Sequence, residues 1–210
     1  MHPAEPFVLA YPFTGPWRVQ NSPADRVPSH GTRLFATGFA IDFTPVDGNG
    51  RSAPITVASL FRPEPPEHFV GFGRPVTAPV DGLVRAAHDG EPDHPAHRGF
   101  PSIRYAATQA RRVQEGWLGL AGNHVIIESG GVFIALCHLQ HGSVCVQGGQ
   151  VIGRGAAVGR CGNSGNSTEP HVHVQAMDSP DPAHASAVPI TFPGGLPPGG
   201  TVVEPGLRGG

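Results

Sequence analysis

The chain has 210 residues, which is enough for one domain with a sizeable hydrophobic core. Its net charge of −2 at pH 7 argues against a nucleic-acid partner, since such partners are held by basic surfaces. Only 14% of the residues are charged, which excludes a disordered polyampholyte, and no apolar run approaches the length of about 20 residues that a membrane-spanning helix needs.

Glycine and proline are frequent, with 30 and 24 residues, and they separate short apolar runs. This pattern is typical of a mainly β protein that is rich in turns. In the first half of the chain, strands are predicted within residues 7–20, 38–46 and 75–88. The last of these segments contains Asp81 and Gly82, a dipeptide that is favoured in tight turns between two strands.

The second half of the chain contains one predicted helix and further strands. The apolar spacing of residues 102–116 indicates a helix, with Ser102 as a suitable N-cap. We expect this helix to be an insertion that covers one edge of a sheet. Strands are predicted at 123–128 and 132–139, which form a hairpin, and at 171–177.

Histidines in strand-like runs are the strongest functional signal in the sequence. His171 and His173 alternate in the run 169–175, so both imidazoles are expected on one face of a strand. Asp42 lies between apolar residues, where a lone carboxylate is costly to bury unless it is paired or bound to a metal. Imidazoles and a carboxylate are typical ligands of catalytic zinc, which keeps one position for water. For the histidine pair taken alone, the alternative is a structural pair whose hydrogen bonds are satisfied.

The three cysteines are Cys137, Cys145 and Cys161, and they form no C-x-x-C pair. They imply no disulfide framework, and small buried side chains are the simplest interpretation. Cys137 directly precedes His138, so in a strand the two side chains are expected on opposite faces. This argues against a nucleophilic cysteine–histidine dyad built from these two residues.

Six segments follow one another along the chain: Phe39–Asp42, Arg74–Gly82, Gly122–Ile127, Cys137–Leu139, Gly142–Val144 and Gly162–His173. In this order they resemble the lysostaphin-type (LytM) zinc metalloendopeptidases, over roughly residues 28–177. The resemblance implies a mainly β fold, an antiparallel β-sheet groove of the lysostaphin/LytM (duplicated hybrid motif) type with zinc at its floor. It also implies hydrolysis of peptide bonds in the crosslinks or stems of peptidoglycan.

The resemblance assigns roles to individual residues. Asp42 corresponds to the carboxylate ligand of the family and His173 to a histidine ligand. His138 and His171 correspond to the two catalytic histidines that do not bind the metal. These two imidazoles are expected to move protons and to stabilise the developing oxyanion.

The second histidine ligand departs from the family pattern. The usual motif His-x-Gly-x-Asp would place it at position 38, which is Gly38 in this chain. The nearest candidate is His30, in the run Ser-His-Gly-Thr that precedes Asp42 by twelve residues. We expect His30, Asp42 and His173 to hold one Zn²⁺ per chain. The alternative is that His30 only caps a turn.

The same resemblance suggests the organisation of the whole chain. Residues 1–192 are expected to form a single metallopeptidase-like domain with its core at 28–177, and residues 193–210 a loose tail rich in glycine and proline. The expected partner is a peptide substrate in peptidoglycan. No signal peptide is visible, so the sequence as written predicts a cytoplasmic protein, although the family usually acts outside the cytoplasm.

Gly38 also supports a second hypothesis. In this hypothesis the chain is a catalytically degenerate member that binds cell-wall peptide or a protein partner. The oligomeric state is left open by the sequence.

Overall fold

The computed structural model describes residues 5–107 and 109–206, without the side chains of residues 103, 104 and 106–111. The fold is mainly β, as expected from the sequence. The strands in this part of the chain are β1 (Phe7–Val8), β2 (Trp17–Gln20), β3 (Ile41–Pro45), β4 (Pro75–Thr77), β5 (Gly82–His88), β6 (Asn123–Ser129), β7 (Val132–Leu139), β8 (Val151–Ile152), β9 (Ala157–Arg160), β10 (Val172–Met177), β11 (Ala187–Val188), β12 (Ile190–Thr191) and β13 (Val202–Val203).

One antiparallel sheet dominates the fold, in the strand order β13-β2-β3-β10-β7-β6-β5-β8, with β11 paired to β10. The strands β3, β10 and β7 lie side by side at its centre. In this register His173 on β10 is directly opposite Asp42 on β3 and Cys137 on β7. The sheet therefore brings together residues that are far apart in sequence.

The two faces of the sheet have different surroundings. Ile41 and Phe43 are fully buried in the main hydrophobic core, and so are Val172 and Val174. Because strand residues alternate between faces, Asp42 and His173 point to the opposite face. That face carries a smaller apolar cluster, which includes Cys137, and it is where the polar site forms.

The hairpin predicted over 123–139 is present as β6 and β7. The two strands predicted within 75–88 are also present, but they do not pair with each other. β4 pairs with β9, and β5 pairs with β6 and β8. A two-residue turn signal thus marked the boundary between two strands correctly, while their partners were decided by contacts with distant strands.

The helical insertion predicted near 102–116 is present, and a further short helix follows it directly. The helices are α1 (Val57–Phe61), α2 (Phe100–Ala107), α3 (Gln109–Gln114) and α4 (Gly116–Ala121). Gly116 has a φ of +76°, which breaks the helical path between α3 and α4. Ser102 is not the N-cap, because α2 already begins at Phe100.

The prediction of a loose tail is wrong for part of residues 193–210. Val202 and Val203 pair with Arg18 and Trp17 and add an edge strand to the central sheet. The domain boundary at residue 192 stays a prediction. Among the residues that the structure describes, no helix has the length and apolar character needed to cross a lipid bilayer.

Candidate metal centre

Three side chains from distant parts of the chain converge at the centre of the sheet. Each of His30, Asp42 and His173 brings one ligand atom to within 4.8 Å of the other two. His30 Nε2 is 3.0 Å from Asp42 Oδ2, and His173 Nδ1 is 2.9 Å from Asp42 Oδ1. Asp42 is 5% exposed and His173 7% exposed. The three residues predicted as metal ligands are therefore brought together.

His30 reaches the site from the segment 29–40, which closes on itself before β3 begins. The Ser29 amide donates to the carbonyl of Gly38, and Ser29 Oγ donates to the carbonyl of Ala40 at 2.7 Å. These bonds hold the start of the segment against its end. His30 therefore lies next to Asp42 although the two residues are twelve positions apart in the sequence.

Position 38 lies in a different environment. A Cβ atom added at Gly38 would have Ala187 Cβ at 3.6 Å and Arg33 atoms at 3.7 and 3.8 Å as its nearest neighbours. None of these atoms belongs to the site. The structure thus explains the departure from the family pattern, because the imidazole is supplied from the closed segment and not from position 38.

The proton of His173 is located by its neighbour Gln175. The side-chain amide NH2 of Gln175 donates to the carbonyl of Phe35 at 2.8 Å. The Oε1 atom of the same amide therefore faces His173 Nε2 at 2.9 Å. An amide oxygen only accepts, so His173 carries a proton on Nε2. Its Nδ1 is then left to face the carboxylate of Asp42.

His30 is oriented in the same way. The Ser29 hydroxyl uses its proton for the carbonyl of Ala40, so it accepts from His30 Nδ1 at 3.0 Å. The Nε2 atom of His30 is then the nitrogen that faces Asp42 Oδ2. The same carboxylate oxygen accepts from the amide Nδ2 of Asn21 at 2.7 Å.

The two predicted catalytic histidines also turn a bare nitrogen towards the site. His138 Nδ1 donates to the carbonyl of Ser164 at 2.9 Å, and His171 Nδ1 donates to the carbonyl of Glu169 at 2.8 Å. Their ring centroids are 4.6 Å apart, and His171 Nε2 is 3.8 Å from Asp42 Oδ1. Both rings are thus fixed by backbone acceptors and point their free Nε2 inwards.

The acceptors for these two rings come from the glycine-rich loop at 162–169. Gly165 has a φ of +69°, and an added Cβ would be 2.4 Å from the amide nitrogen of Gly122. Only glycine allows this close approach. The contact presents the preceding carbonyl, that of Ser164, to His138.

This donor set fits a divalent metal ion. Two bare imidazole nitrogens lie about 3 Å from the oxygens of one buried carboxylate, at contacts that need a proton or a cation between the two atoms. Their other ring nitrogens donate to oxygen atoms, an arrangement that is general for histidines that bind metals. Nitrogen and oxygen donors of this kind suit zinc.

Charges within the site shift the ionisation of two groups. Burial by itself would raise the pKa of Asp42, but the nearby His30 and His171, with hydrogen bonds from His173 and His30, hold this pKa well below its usual value. For His138, burial and the neighbouring imidazoles hold the pKa well below its usual value. Asp42 is therefore ionised and His138 neutral at pH 7.

The expectation that Cys137 and His138 face opposite sides is wrong. His138 has a φ of +62°, a left-handed conformation that interrupts the alternation of β7, and both side chains line the cavity above the sheet. Burial raises the pKa of the Cys137 thiol, so it stays protonated. The argument against a cysteine–histidine dyad therefore holds for a different reason. Cys161 is also a buried free cysteine, and Cys145 is exposed.

A cavity of about 320 Å³ opens above the metal centre. Its lining includes Phe35 from the segment 29–40 and also Tyr105 and Trp117 from the helical insertion. The Trp117 indole donates to His124 Nε2 at 3.1 Å, and His124 is 4% exposed. His124 is thus a structural support of the wall.

Two further residues at the site, Gln175 and Asn21, were not predicted from the sequence. Gln175 follows His173 by two residues, so strand periodicity alone would have placed it on the same face. Asn21 lies in a loop with a φ of +47°, and no periodic pattern indicates it. Only the folded chain brings its amide to Asp42.

Comparison with known proteins points to one family. Residues 92–185 match the family model described as Peptidase family M23. The match supports a divergent member of this family. The matched region contains His138, His171 and His173 but neither Asp42 nor His30. The assignment of those two as ligands therefore depends on the geometry described above.

Similarity to individual proteins is limited. The chain is 31% identical over 77 residues to peptidoglycan DD-endopeptidase ShyA of Vibrio cholerae, a match that covers 37% of this chain and 18% of that protein. This chain therefore spans less than a fifth of the length of that curated relative.

Two solved catalytic domains are among the similar structures. A mutant of the prophage-encoded M23 protein EnpA from Enterococcus faecalis has 18% identity and a TM-score of 0.41, with coverage of 71% of this chain and 73% of that one. Lysostaphin from Staphylococcus simulans has 17% identity and a TM-score of 0.40, with coverage of 72% and 77%. At such scores the likeness carries no argument about function.

Proposed function

We propose that this protein is a zinc-dependent metalloendopeptidase that hydrolyses peptide bonds in peptidoglycan. The observation that carries the proposal is the convergence of His30, Asp42 and His173 within 4.8 Å, at the floor of an open cavity. Three protein ligands with room for a fourth position are the arrangement of catalytic zinc, whereas structural zinc has four protein ligands. The side of the group that faces the cavity leaves this fourth position open to water and substrate.

Zinc held by these residues would supply a Lewis acid that polarises a peptide carbonyl and lowers the pKa of a water molecule to about 7. The remaining work belongs to His138 and His171. Both imidazoles donate through Nδ1 to backbone carbonyls and direct Nε2 at the site. One takes the proton of the attacking water, and the other supports the charge that develops on the carbonyl oxygen.

Asp42 and its partners hold this arrangement in place. Asn21 donates to Oδ2 of the carboxylate, and this bond would hold Asp42 in position with a metal ion bound. The low pKa of Asp42 keeps the carboxylate charged at any pH where imidazoles are neutral. The ligand set therefore carries one negative charge, and the site with Zn²⁺ would keep a net positive charge that attracts a carbonyl oxygen.

The substrate class follows from the family and from the cavity. The relative from Vibrio cholerae is described as a peptidoglycan DD-endopeptidase, and we extend that substrate to this chain. The cavity is walled by Phe35, Tyr105 and Trp117 and is open to solvent on one side. Such walls suit an extended peptide that lies across the sheet above the metal centre.

The degenerate alternative is the weaker proposal. It was raised by Gly38, on the assumption that the second imidazole ligand is missing. The 3.0 Å distance between His30 Nε2 and Asp42 Oδ2 favours an intact ligand set. We therefore propose that His30 replaces the imidazole that other members supply from the position of Gly38.

The test combines metal analysis with cleavage of purified peptidoglycan. The wild-type protein is expected to bind one zinc per chain and to lose cleavage with a chelator and regain it with zinc. His30→Ala is expected to lose both zinc and cleavage, while His184→Ala, at an exposed histidine paired with Asp181, retains both. Cleavage that survives chelation would overturn the metal mechanism, and well under one zinc per chain together with no cleavage would favour the degenerate alternative.

A further inference from the structure

Gln175 occupies an unusual position behind the metal centre. It is fully buried on β10, two residues after His173 and on the same face of the strand. Its Oε1 lies 2.9 Å from His173 Nε2, and its Nε2 amine donates to the carbonyl of Phe35 at 2.8 Å. The side chain therefore links a predicted metal ligand to the backbone of the segment 29–40.

The carbonyl that anchors Gln175 belongs to a strained turn. Phe35 and Ala36 have φ values of +54° and +60°, a conformation that is costly for residues with a side chain. Such strain persists only where the surrounding contacts hold it. Here the turn directs the Phe35 carbonyl at the buried amide of Gln175.

The orientation of the Gln175 amide has a chemical consequence for His173. If the Gln175 amide were reversed, its NH2 group would face the imidazole, and His173 Nε2 would have to be unprotonated to accept from it. The proton of a neutral His173 would then lie on Nδ1, which is the nitrogen that faces Asp42. A protonated Nδ1 has no lone pair for a metal. The Phe35 carbonyl prevents this reversal, because a carbonyl oxygen can accept from the NH2 group of Gln175 but cannot pair with its Oε1.

We propose that Gln175, anchored by the carbonyl of Phe35, is a positioning residue that keeps the Nδ1 lone pair of His173 directed at the metal. The segment 29–40 then controls both imidazole ligands, since it supplies His30 directly and orients His173 through Gln175. This inference rests on the zinc site proposed above. It adds to that site a residue that supplies no ligand atom to the three-residue group.

The experiment uses the full chain and two readouts that do not depend on cleavage. The first is the tautomer of His173, read from ¹⁵N NMR shifts of the imidazole in zinc-free protein at a pH where the ring is neutral. The second is zinc affinity, measured by competition with a chromophoric chelator. The variant is Gln175→Met, which keeps the volume of the side chain but removes both hydrogen bonds.

Wild-type protein is expected to hold the His173 proton on Nε2 and to bind zinc through Nδ1. Gln175→Met is expected to show a mixture of tautomers and zinc affinity reduced by about 10–100-fold, the usual effect of removing a partner of a metal ligand. Gln175→Glu is expected to restore the Nε2–H tautomer, because a carboxylate accepts that proton without an anchor. The control is Thr44→Val, which changes a buried polar residue on the neighbouring strand β3 and is expected to leave both readouts unaltered.

The outcomes separate the two proposals. If the wild-type protein binds no zinc, the proposed function fails, while the tautomer of His173 still tests the role of Gln175. If Gln175→Met retains the wild-type tautomer and zinc affinity, the positioning role is overturned. Should that variant not fold, the wild-type spectrum decides, because a neutral His173 with its proton on Nδ1 contradicts the proposal.

Discussion

His173 lies directly opposite Asp42 across the β10–β3 ladder, and its Nδ1 is 2.9 Å from the Oδ1 atom of that carboxylate. The pair is held by two strands whose residues are separated by 131 positions in the sequence. Backbone hydrogen bonds fix the two Cα positions, so the contact does not depend on flexible loops. It forms the rigid half of the metal centre, and His30 supplies the half that comes from a loop.

The loop origin of His30 leads to a prediction about Gly38. In a His30→Ala background, adding Gly38→His is expected not to restore zinc binding, because a side chain at position 38 would lie against Ala187 and Arg33. Zinc content per chain after gel filtration measures this. The single variant Gly38→Ala serves as the control for backbone effects and is expected to bind zinc normally. Recovery of one zinc per chain in the double variant would show that position 38 does reach the site.

Zinc binding is expected to release protons. A metal ion competes with protons for the two imidazole nitrogens that face Asp42, so a proton bound to either nitrogen is released when zinc binds. Apparent zinc affinity should therefore rise with pH. Calorimetric titration in two buffers with different enthalpies of ionisation gives the number of protons released. Equal heats in both buffers at pH 6 would contradict this arrangement of the three side chains.

Substitution of a catalytic histidine is expected to reduce cleavage without removing the metal, unlike substitution of a metal ligand. His171→Gln should keep about one zinc per chain but reduce cleavage by about 10²–10⁴-fold, the range for loss of a general acid or base. His171 Nε2 lies 3.8 Å from Asp42 Oδ1 and contributes no ligand atom to the three-residue group. His184→Gln on the exposed surface is the matched control. Loss of zinc in His171→Gln would make this residue a ligand.

His124 is expected to make stability depend on pH. Burial is the largest cause that lowers the pKa of His124, so the folded protein holds this ring neutral. An unfolded histidine has a pKa of about 6.5, so the unfolded state binds more protons in mildly acidic solution. Its contribution is present above about pH 6.5 and is lost as the pH falls from there towards the lower folded pKa.

The comparison variant for this effect is His124→Gln, which keeps an acceptor for the Trp117 indole but has no titrating group. Urea unfolding of zinc-free protein between pH 7.5 and 5 should give a flatter dependence on pH for the variant than for wild type. His138 contributes in the same direction in both proteins, since burial also lowers its pKa. Parallel curves for wild type and variant would refute the assignment of this effect to His124.

Strand periodicity predicted the core of the site. The alternation of His171 and His173 and the apolar neighbours of Asp42 were readable from the sequence, since side-chain direction in a strand follows a local rule. The same rule failed at His138, where a left-handed residue interrupts the strand. It also underlies the position of Gln175, although the role of that residue depends on the carbonyl of Phe35.

The helical insertion shows a second limit of local patterns. Apolar spacing predicted one helix over 102–116, whereas α3 ends at Gln114 and α4 begins at Gly116. Gly116 ends one helical path and begins another because it adopts a positive φ. The hydrophobic pattern alone carries no information on such a break, since glycine fits a helix at a modest cost.

By itself the sequence determined a mainly β chain with Asp42, His138, His171 and His173 in strand-like runs, because residue type and spacing act within each strand. The tertiary structure decided which imidazole completes the group and which nitrogen of each ring faces it. His30, Asn21 and the Phe35 carbonyl come from non-repeating segments whose positions depend on loop closure and on hydrogen bonds between distant residues. Those contacts exist only once the sheet has assembled, so no local pattern encodes them.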